Sequence, residues 1–413
     1  MARGGLAGIA GAGVTASAQF LLVVVVTRAF SAEQAGAFFT ATALALMVAG
    51  IAKLDAGNGL IYFIARARTY DYRGVSGYVR AAVVPGVVVS SVAALLLYPR
   101  LGPMVLVLPC MVCADILLAA TRGFGSMRPT VLLDGLTLPV AQLALVTLVA
   151  LVADASWLLP LAWGMPYVLV PPLVLFWLRR RVPRTPYLPG TGRDLWRYTA
   201  PRSVAAAIQA VFQRLDIVIV AVLAGPAQAA VYTAATRFKV VGQLANQGLA
   251  QAVQPRLVRA LADGDLPRAR ELYQAATVWL VVLTWPVWVV YAALAPWLLD
   301  LFGAGYDRAA PVALVLAGTM MLATACGMVD VVLTAAGHTT GSLANLVAAV
   351  GCTVLLDLAL VPGHGALGAA LGWAGGVIVK NLLPLWQLHR RYGLHPFGRH
   401  SAAALRFRSW ATA

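Results

Sequence analysis

Two apolar stretches between Gln209 and Gln254 carry side chains that hydrocarbon rejects. On the first, Gln209, Gln213 and Asp216 recur at i, i+4 and i+7, one face of a helix, with Arg214 among them. On the second, Thr236, Lys239, Gln243 and Asn246 follow similar spacing, with Arg237 alongside and Gln247, Gln251 and Gln254 below. Guanidinium and ammonium groups suit phosphate oxygens, so Arg214, Arg237 and Lys239 are candidates for contact with an anion. Gln19, Gln209, Gln213, Gln243, Asn246 and Gln247 are candidates for binding hydroxyl groups. The competing assignment makes Asp216 a strut to Arg237 or Lys239 and the amides interhelical hydrogen bonds. On a continuous helix Arg214 and Asp216 diverge by roughly 200°, which leaves Arg214 open to a ligand.

An ionised group near a bilayer centre costs about 2.5–3.5 kcal/mol by insertion scales, so it faces a partner or a wet cavity. Two polar stripes on consecutive spanning helices therefore point to a cavity. Arg28 falls near its outer mouth, where it contacts a ligand late in a cycle or snorkels. Asp115, Asp330 and Asp357 are further acids within apolar runs, and Asp134 lies near a run's end. Each is a candidate site for a coupling proton or sodium ion, and Lys380 is placed to neutralise Asp330 or Asp357. No cofactor is expected. Cys110-Met-Val-Cys113 has redox or metal spacing but lies in an apolar run, where cysteine acts as a small hydrophobe. No carboxylate pair, buried histidine relay or long outer loop offers an active site, so the chain reads as a non-enzyme, against an integral glycosyltransferase or polymerase.

The elements that carry these groups follow from composition. Of 413 residues, 61% are hydrophobic and 11% charged; a soluble domain keeps charge near a quarter of its residues. The chain reads as an all-α polytopic membrane protein. Its net charge of +16 then belongs to loops rather than to a nucleic-acid surface. Runs of about 20 apolar residues are candidate spans, and twelve occur, at roughly 6–28, 35–57, 78–98, 103–122, 131–152, 157–178, 200–223, 228–250, 274–298, 311–335, 342–361 and 366–388. The first run has no cleavage-site pattern and reads as an uncleaved helix.

Arginine and lysine concentrate in alternate loops: Lys53 to Arg73, Arg122 and Arg128, Arg179 to Arg197, Arg256 to Arg270, and the tail from Arg390 to Arg408. That bias puts both termini in the cytoplasm. The scarcity of lysine (Lys53, Lys239 and Lys380) suits a bacterial genome of high GC content. The basic, proline-broken segment 179–197 divides the chain into a lobe over 1–178 and a second over 198–390, with a basic tail at 391–413. The linker's arginines would meet anionic lipids of the inner leaflet.

A shift of 194 residues lays Val23–Val26 on Ile217–Val220, Gln19 on Gln213, Gln34-Ala35 on Gln228-Ala229, and Ala41-Thr42 on Ala235-Thr236. Halves with equal, even numbers of spans have the same topology, hence a pseudo-two-fold axis along the membrane normal. At the positions of Arg214, Asp216 and Arg237 the first half has Phe20, Leu22 and Ala43, so most of the headgroup site is expected in the second lobe. Pro85, Pro109, Pro139, Pro166 and Pro286 fall inside expected spans, where proline kinks a helix. The stripes Gly4, Gly8, Ala12, Ala16 and Gly368, Gly372, Gly376 let helices approach closely.

Arg214-Leu-Asp216-Ile-Val-Ile-Val, Gly225 and Val231-Tyr-Thr-Ala-Ala-Thr-Arg237 resemble the seventh and eighth helices of polysaccharide flippases. Thr27-Arg-Ala-Phe-Ser-Ala-Glu33-Gln-Ala-Gly36 is similar to that family's first outer turn, and Pro255–Asp265 with Arg268-Ala-Arg270 to its loop before helix nine. Together with two parallel repeats, the chain resembles the multidrug/oligosaccharidyl-lipid/polysaccharide (MOP) exporter superfamily, in its Wzx-type branch. The resemblance implies two lobes around a central cavity lined by helices one, two, seven and eight, and alternating access. It implies transfer of polyprenyl-pyrophosphate-linked oligosaccharide to the outer leaflet of the bacterial cytoplasmic membrane, by a monomer working beside polysaccharide-biosynthesis enzymes. A MATE-like small-molecule antiporter of the same fold is the nearest rival. A non-transporting envelope scaffold is the third.

Overall fold

A computed structural model of the chain describes residues 2–70, 74–152, 155–180 and 188–404, with side chains except at 2–10, 240–245, 247, 251 and 402–404. Part of the expected linker (181–187) and of the basic tail (405–413) lies outside the described residues. Among the described residues every regular element is helical. They fall into two compact units, Met1–Val218 and Ile219–Ala413. The boundary falls within the seventh expected span, 200–223, whose first part packs against the first unit's helices.

The first unit contains α1 (Ala2–Ala29), α2 (Ala32–Ala52), α3 (Ala56–Thr69), α4 (Val75–Leu101) and α5 (Leu108–Gly123). A π-helix over Thr130–Thr137 leads into α6 (Leu138–Val152), followed by α7 (Leu158–Gly164), α8 (Pro166–Arg179) and α9 (Thr191–Phe212). Helix α9 packs on α2, α3 and α4. A short helix α10 (Leu215–Leu223) crosses the boundary. The second unit continues with α11 (Pro226–Thr236), α12 (Lys239–Ala262), α13 (Leu266–Ala293), α14 (Ala295–Asp300), α15 (Ala310–Ala325), α16 (Val329–Ala335), α17 (Thr339–Tyr392) and α18 (Arg399–Ala404).

Eight described stretches are long and apolar enough to cross a bilayer, and nine if the bent pair α9–α10 counts as one. Two of the eight, Val75–Gly123 and Thr339–Tyr392, run to 49 and 54 residues. A crossing takes about 20 residues, so each is two crossings. They break at Gly102 (φ 56°, ψ −145°) and Gly365 (φ 54°, ψ −129°), backbone that only glycine adopts without strain. Helices α11 and α12 occupy the remaining expected span, 228–250, and the short gap between them at Arg237 and Phe238 interrupts it. Each of the twelve expected spans thus coincides with described helical structure.

The 194-residue shift reappears in the helix limits. α1 ends at Ala29 and α10 at Leu223; α2 begins at Ala32 and α11 at Pro226. In the first copy Ser31 and Gln34 form a capping box on α2, which satisfies two backbone N–H groups at the helix start. In the second, Gly225 replaces the serine, and Gln228 instead accepts a hydrogen bond from Ala366 N at the Gly365 break.

Two of the five span prolines do not kink anything. Pro109 and Pro166 lie in the first turns of α5 and α8, where the missing N–H had no helical partner. Pro85 and Pro286 are interior. The glycine stripe of α17 works as expected: Gly368, Gly372 and Gly376 face Leu360, Asp357 and Thr353 of the preceding arm.

Candidate functional site

The expected span 35–57 does not run on as one helix. α2 stops at Ala52, and Leu54 and Asp55 both adopt a left-handed backbone (φ 51° each) before α3 resumes. For a residue with a Cβ that conformation costs about 1–2 kcal/mol, so something must hold it. Helix α9 does so with consecutive side chains. Ser203 Oγ donates to Leu54 O at 2.6 Å, and Arg202 Nε donates to Asp55 Oδ2 at 2.9 Å. Asn58 Nδ2 completes the clamp, donating to Asp55 Oδ1 at 2.6 Å. Both carboxylate oxygens of the buried Asp55 are therefore engaged, and strain of this kind gathers at functional sites.

The strained turn lines a cavity of about 350 Å³, within the range of about 300–1,000 Å³ found for small-molecule sites. Lys53 and Asp55 come from the turn, Asp115 and Met111 from α5, and Tyr167 from α8. Gln209 and Gln213 come from α9, with Arg214 at its end. A second cavity of about 270 Å³ shares Lys53, Asp55 and Asp115, and adds Asn58, Arg122 and Asp134. Asp134 belongs to the π-helix, an irregularity frequent at functional sites. Between the two cavities Lys53 Nζ lies 3.6 Å from Asp115 Oδ2, and both side chains are near half exposed.

The first sequence stripe is only partly maintained. α9 ends at Phe212 and α10 starts at Leu215, bent by 47°, so Arg214 sits in a break and not on a continuous helix. Gln209, Gln213 and Arg214 still share the cavity wall. Asp216 is buried, accepts from Ile217 N at 2.9 Å, and does not line the cavity. Gln19 donates to Gln142 Oε1 at 3.2 Å, and Gln142 donates to Trp163 O at 3.0 Å. Gln19 is thus part of an interhelical relay that runs through Gln142 to the backbone of α7.

The second stripe lies in the other unit. Lys239 Nζ stands 4.3 Å above the Trp373 ring and 5.6 Å from that of Tyr232, so aromatic faces hold an ammonium that the sequence offered to phosphate. Arg237 is half-buried at the end of α11, and Asn246 is exposed. The side chains of Gln243 and Gln247 lie outside the described residues. Arg28 is exposed on the last turn of α1. Of the acids, Asp330 accepts a short hydrogen bond from Ser342 Oγ, and Asp357 is fully buried in α17 against Gly372.

Of the residues named from sequence, Gln209, Gln213, Arg214 and Asp115 line this cavity; Lys53 entered that reading only as one of the inner positive charges, and Asp55 was not singled out. The available signal was Lys53-Leu-Asp55, two opposite charges closing an apolar run. Replacing Asp55 with alanine is expected to destabilise the first unit by about 2–3 kcal/mol through lost charge-assisted hydrogen bonds. Asp55→Asn, which tolerates a left-handed backbone and keeps an acceptor, loses less than half of that. Thermal unfolding of the purified protein distinguishes the two.

The MatE family model matches residues 201–362. No curated protein matches the chain significantly. Among solved structures, the chain resembles an inward-facing multidrug-resistance MATE transporter of the MOP superfamily, with a TM-score of 0.73 at 13% identity, over 97% of this chain and 99% of that one. It resembles the lipid II flippase MurJ in an inward closed conformation at a TM-score of 0.74 and 10% identity, over 98% and 91%. A MOP-superfamily transporter from Pyrococcus furiosus, described as having a binding pocket of reversed polarity, matches at 0.56 and 14% identity, over 94% of each chain.

Proposed function

We propose that this protein is a flippase of the Wzx type. It carries a polyprenyl-pyrophosphate-linked oligosaccharide from the inner to the outer leaflet of a bacterial cytoplasmic membrane, by alternating access and with both termini in the cytoplasm. The observation that carries this reading is the cavity of the first unit. It presents Lys53 and Arg214 beside Gln209, Gln213 and Tyr167, while Asp55 is already engaged by Arg202 and Asn58. Cations suit a diphosphate, and amides and a phenol suit sugar hydroxyls. Other parts of the expectation fit the same scheme: proton or sodium coupling through Asp115, Asp330 or Asp357, anionic lipids at the basic linker, and polysaccharide-biosynthesis enzymes as neighbours of a monomeric transporter.

Cells depleted of the protein should accumulate lipid-linked oligosaccharide that a membrane-impermeant glycosidase added to intact spheroplasts cannot reach. An unchanged leaflet distribution would reject the flippase. A second reading, a small-cation antiporter, draws on Asp115, which lines both cavities. It predicts instead that depletion sensitises cells to organic cations with no lipid-linked sugar retained inside.

A further inference from the structure

The two ion pairs around the strained turn differ in kind. Asp55 is buried and held by three groups: its own carboxylate meets Arg202 and Asn58, and the neighbouring carbonyl meets Ser203. The Lys53–Asp115 pair is separated by 3.6 Å, beyond hydrogen-bond length, with side chains 40% and 49% exposed. A pair so exposed contributes about 0–1 kcal/mol. It nevertheless stands where the two cavities meet, and Lys53 and Asp115 line both. The other charged groups lining these cavities are Asp55 and Arg214 on the first side, and Asp55, Arg122 and Asp134 on the second.

We propose that Asp115 is an internal competitor for Lys53, holding the ammonium until a diphosphate enters the cavity and takes it over. The idea rests on the anionic-headgroup reading given above and goes beyond it by assigning this pair. Asp55 and Arg202 form the fixed frame; Lys53 and Asp115 form the exchangeable contact. A doubly charged diphosphate attracts Lys53 more strongly than a single carboxylate at similar distance. Besides Lys53 and Asp55, Asp115 shares the lining of the second cavity with one cation, Arg122, and one further acid, Asp134. With Lys53 and Arg214 set against Asp55 and Asp115, the charged lining of the empty first cavity is neutral, so a diphosphate must win Lys53 from a carboxylate to find a cation of its own.

The test measures binding of inorganic pyrophosphate to the full-length protein in nanodiscs of zwitterionic lipid. Asp115→Asn should tighten binding about fivefold, and Lys53→Gln should weaken it about tenfold, as expected for losing a weak competitor and a direct cation. In the Lys53→Gln background, Asp115→Asn should change affinity by less than about twofold, because nothing remains to compete for. Asp115→Ser provides a second removal of the carboxylate should the amide misfold, with unfolding temperature checked for each variant. Undecaprenyl diphosphate in the nanodiscs should displace pyrophosphate, which places a lipid headgroup at the site.

Unchanged or weaker binding by both Asp115 variants, with wild-type binding intact, overturns the competitor and leaves the anionic cavity standing. An equal gain with and without Lys53 also overturns it, since that gain is general charge repulsion. Absence of pyrophosphate binding in wild type and variants removes the anionic reading together with the competitor. Pyrophosphate binding that the lipid does not displace keeps the competitor and overturns the headgroup as its ligand.

Discussion

Reversing the charge of Arg214, as Arg214→Glu, is expected to reduce lipid-linked oligosaccharide transport by about 100-fold or more, with insertion and unfolding temperature close to wild type. Losing one partner of a desolvated charge pair costs about 2–5 kcal/mol, and each 1.4 kcal/mol is tenfold. The location argues for a functional rather than a structural loss. Arg214 sits in the two-residue break between α9 and α10, where it supports no continuous helix, and it lines the cavity beside Gln213. Arg214→Lys keeps the charge but loses the planar fork that meets two oxygens at once, and should retain about a tenth of the activity. Transport is read in proteoliposomes by accessibility of the labelled sugar to an impermeant oxidant. Wild-type rates in Arg214→Glu would remove Arg214 from the path; a collapse in unfolding temperature would make it a structural residue.

How far such a site can be read from sequence depends on what sets each feature. The spans are set by lipid, a uniform solvent, and the apolar runs therefore fall on described helical structure. Helix α3 was hidden because its residues 56–69 mix apolar and basic side chains and fail any lipid test, though they pack against α5 and α9. The turn at Leu54-Asp55 was hidden for a different reason. Left-handed backbone is normally announced by glycine, and here a leucine and an aspartate are forced into it by α9. The break after Phe212 lacks glycine or proline at 213 and 214, so periodicity ran through it. Polar stripes showed which residues need partners, but not which partner. Lys239 found aromatic rings, Gln19 found another amide, and among the stripe residues whose side chains are described the groups on α9 and at its end line the cavity.

The same limit applies to the α17 hairpin, where the sequence shows a glycine stripe and a buried acid separately and the structure makes them one feature. A Cβ on Gly372 would overlap Asp357 Oδ1 and come within 3.0 Å of Asp357 N. Gly372→Ala gains about 0.5–1 kcal/mol in helix propensity and loses about 1–3 kcal/mol to overpacking. The steric term should sit at the upper end, because Asp357 is fully buried and cannot swing into solvent. Net destabilisation of about 2 kcal/mol lowers the unfolding temperature of a unit this size by about 4–8 °C. Gly351→Ala on the same hairpin, where a Cβ meets nothing within 4 Å, isolates the propensity effect and should be neutral or mildly stabilising. The decisive comparison is Gly372→Ala in an Asp357→Ala background. If the carboxylate is the obstacle, the penalty falls below about 1 kcal/mol there, a coupling between touching residues that additivity does not allow. A penalty of the same size in both backgrounds would place the collision on the Asp357 backbone, and the glycine would then be fixed by helix approach alone, whatever acid stands opposite.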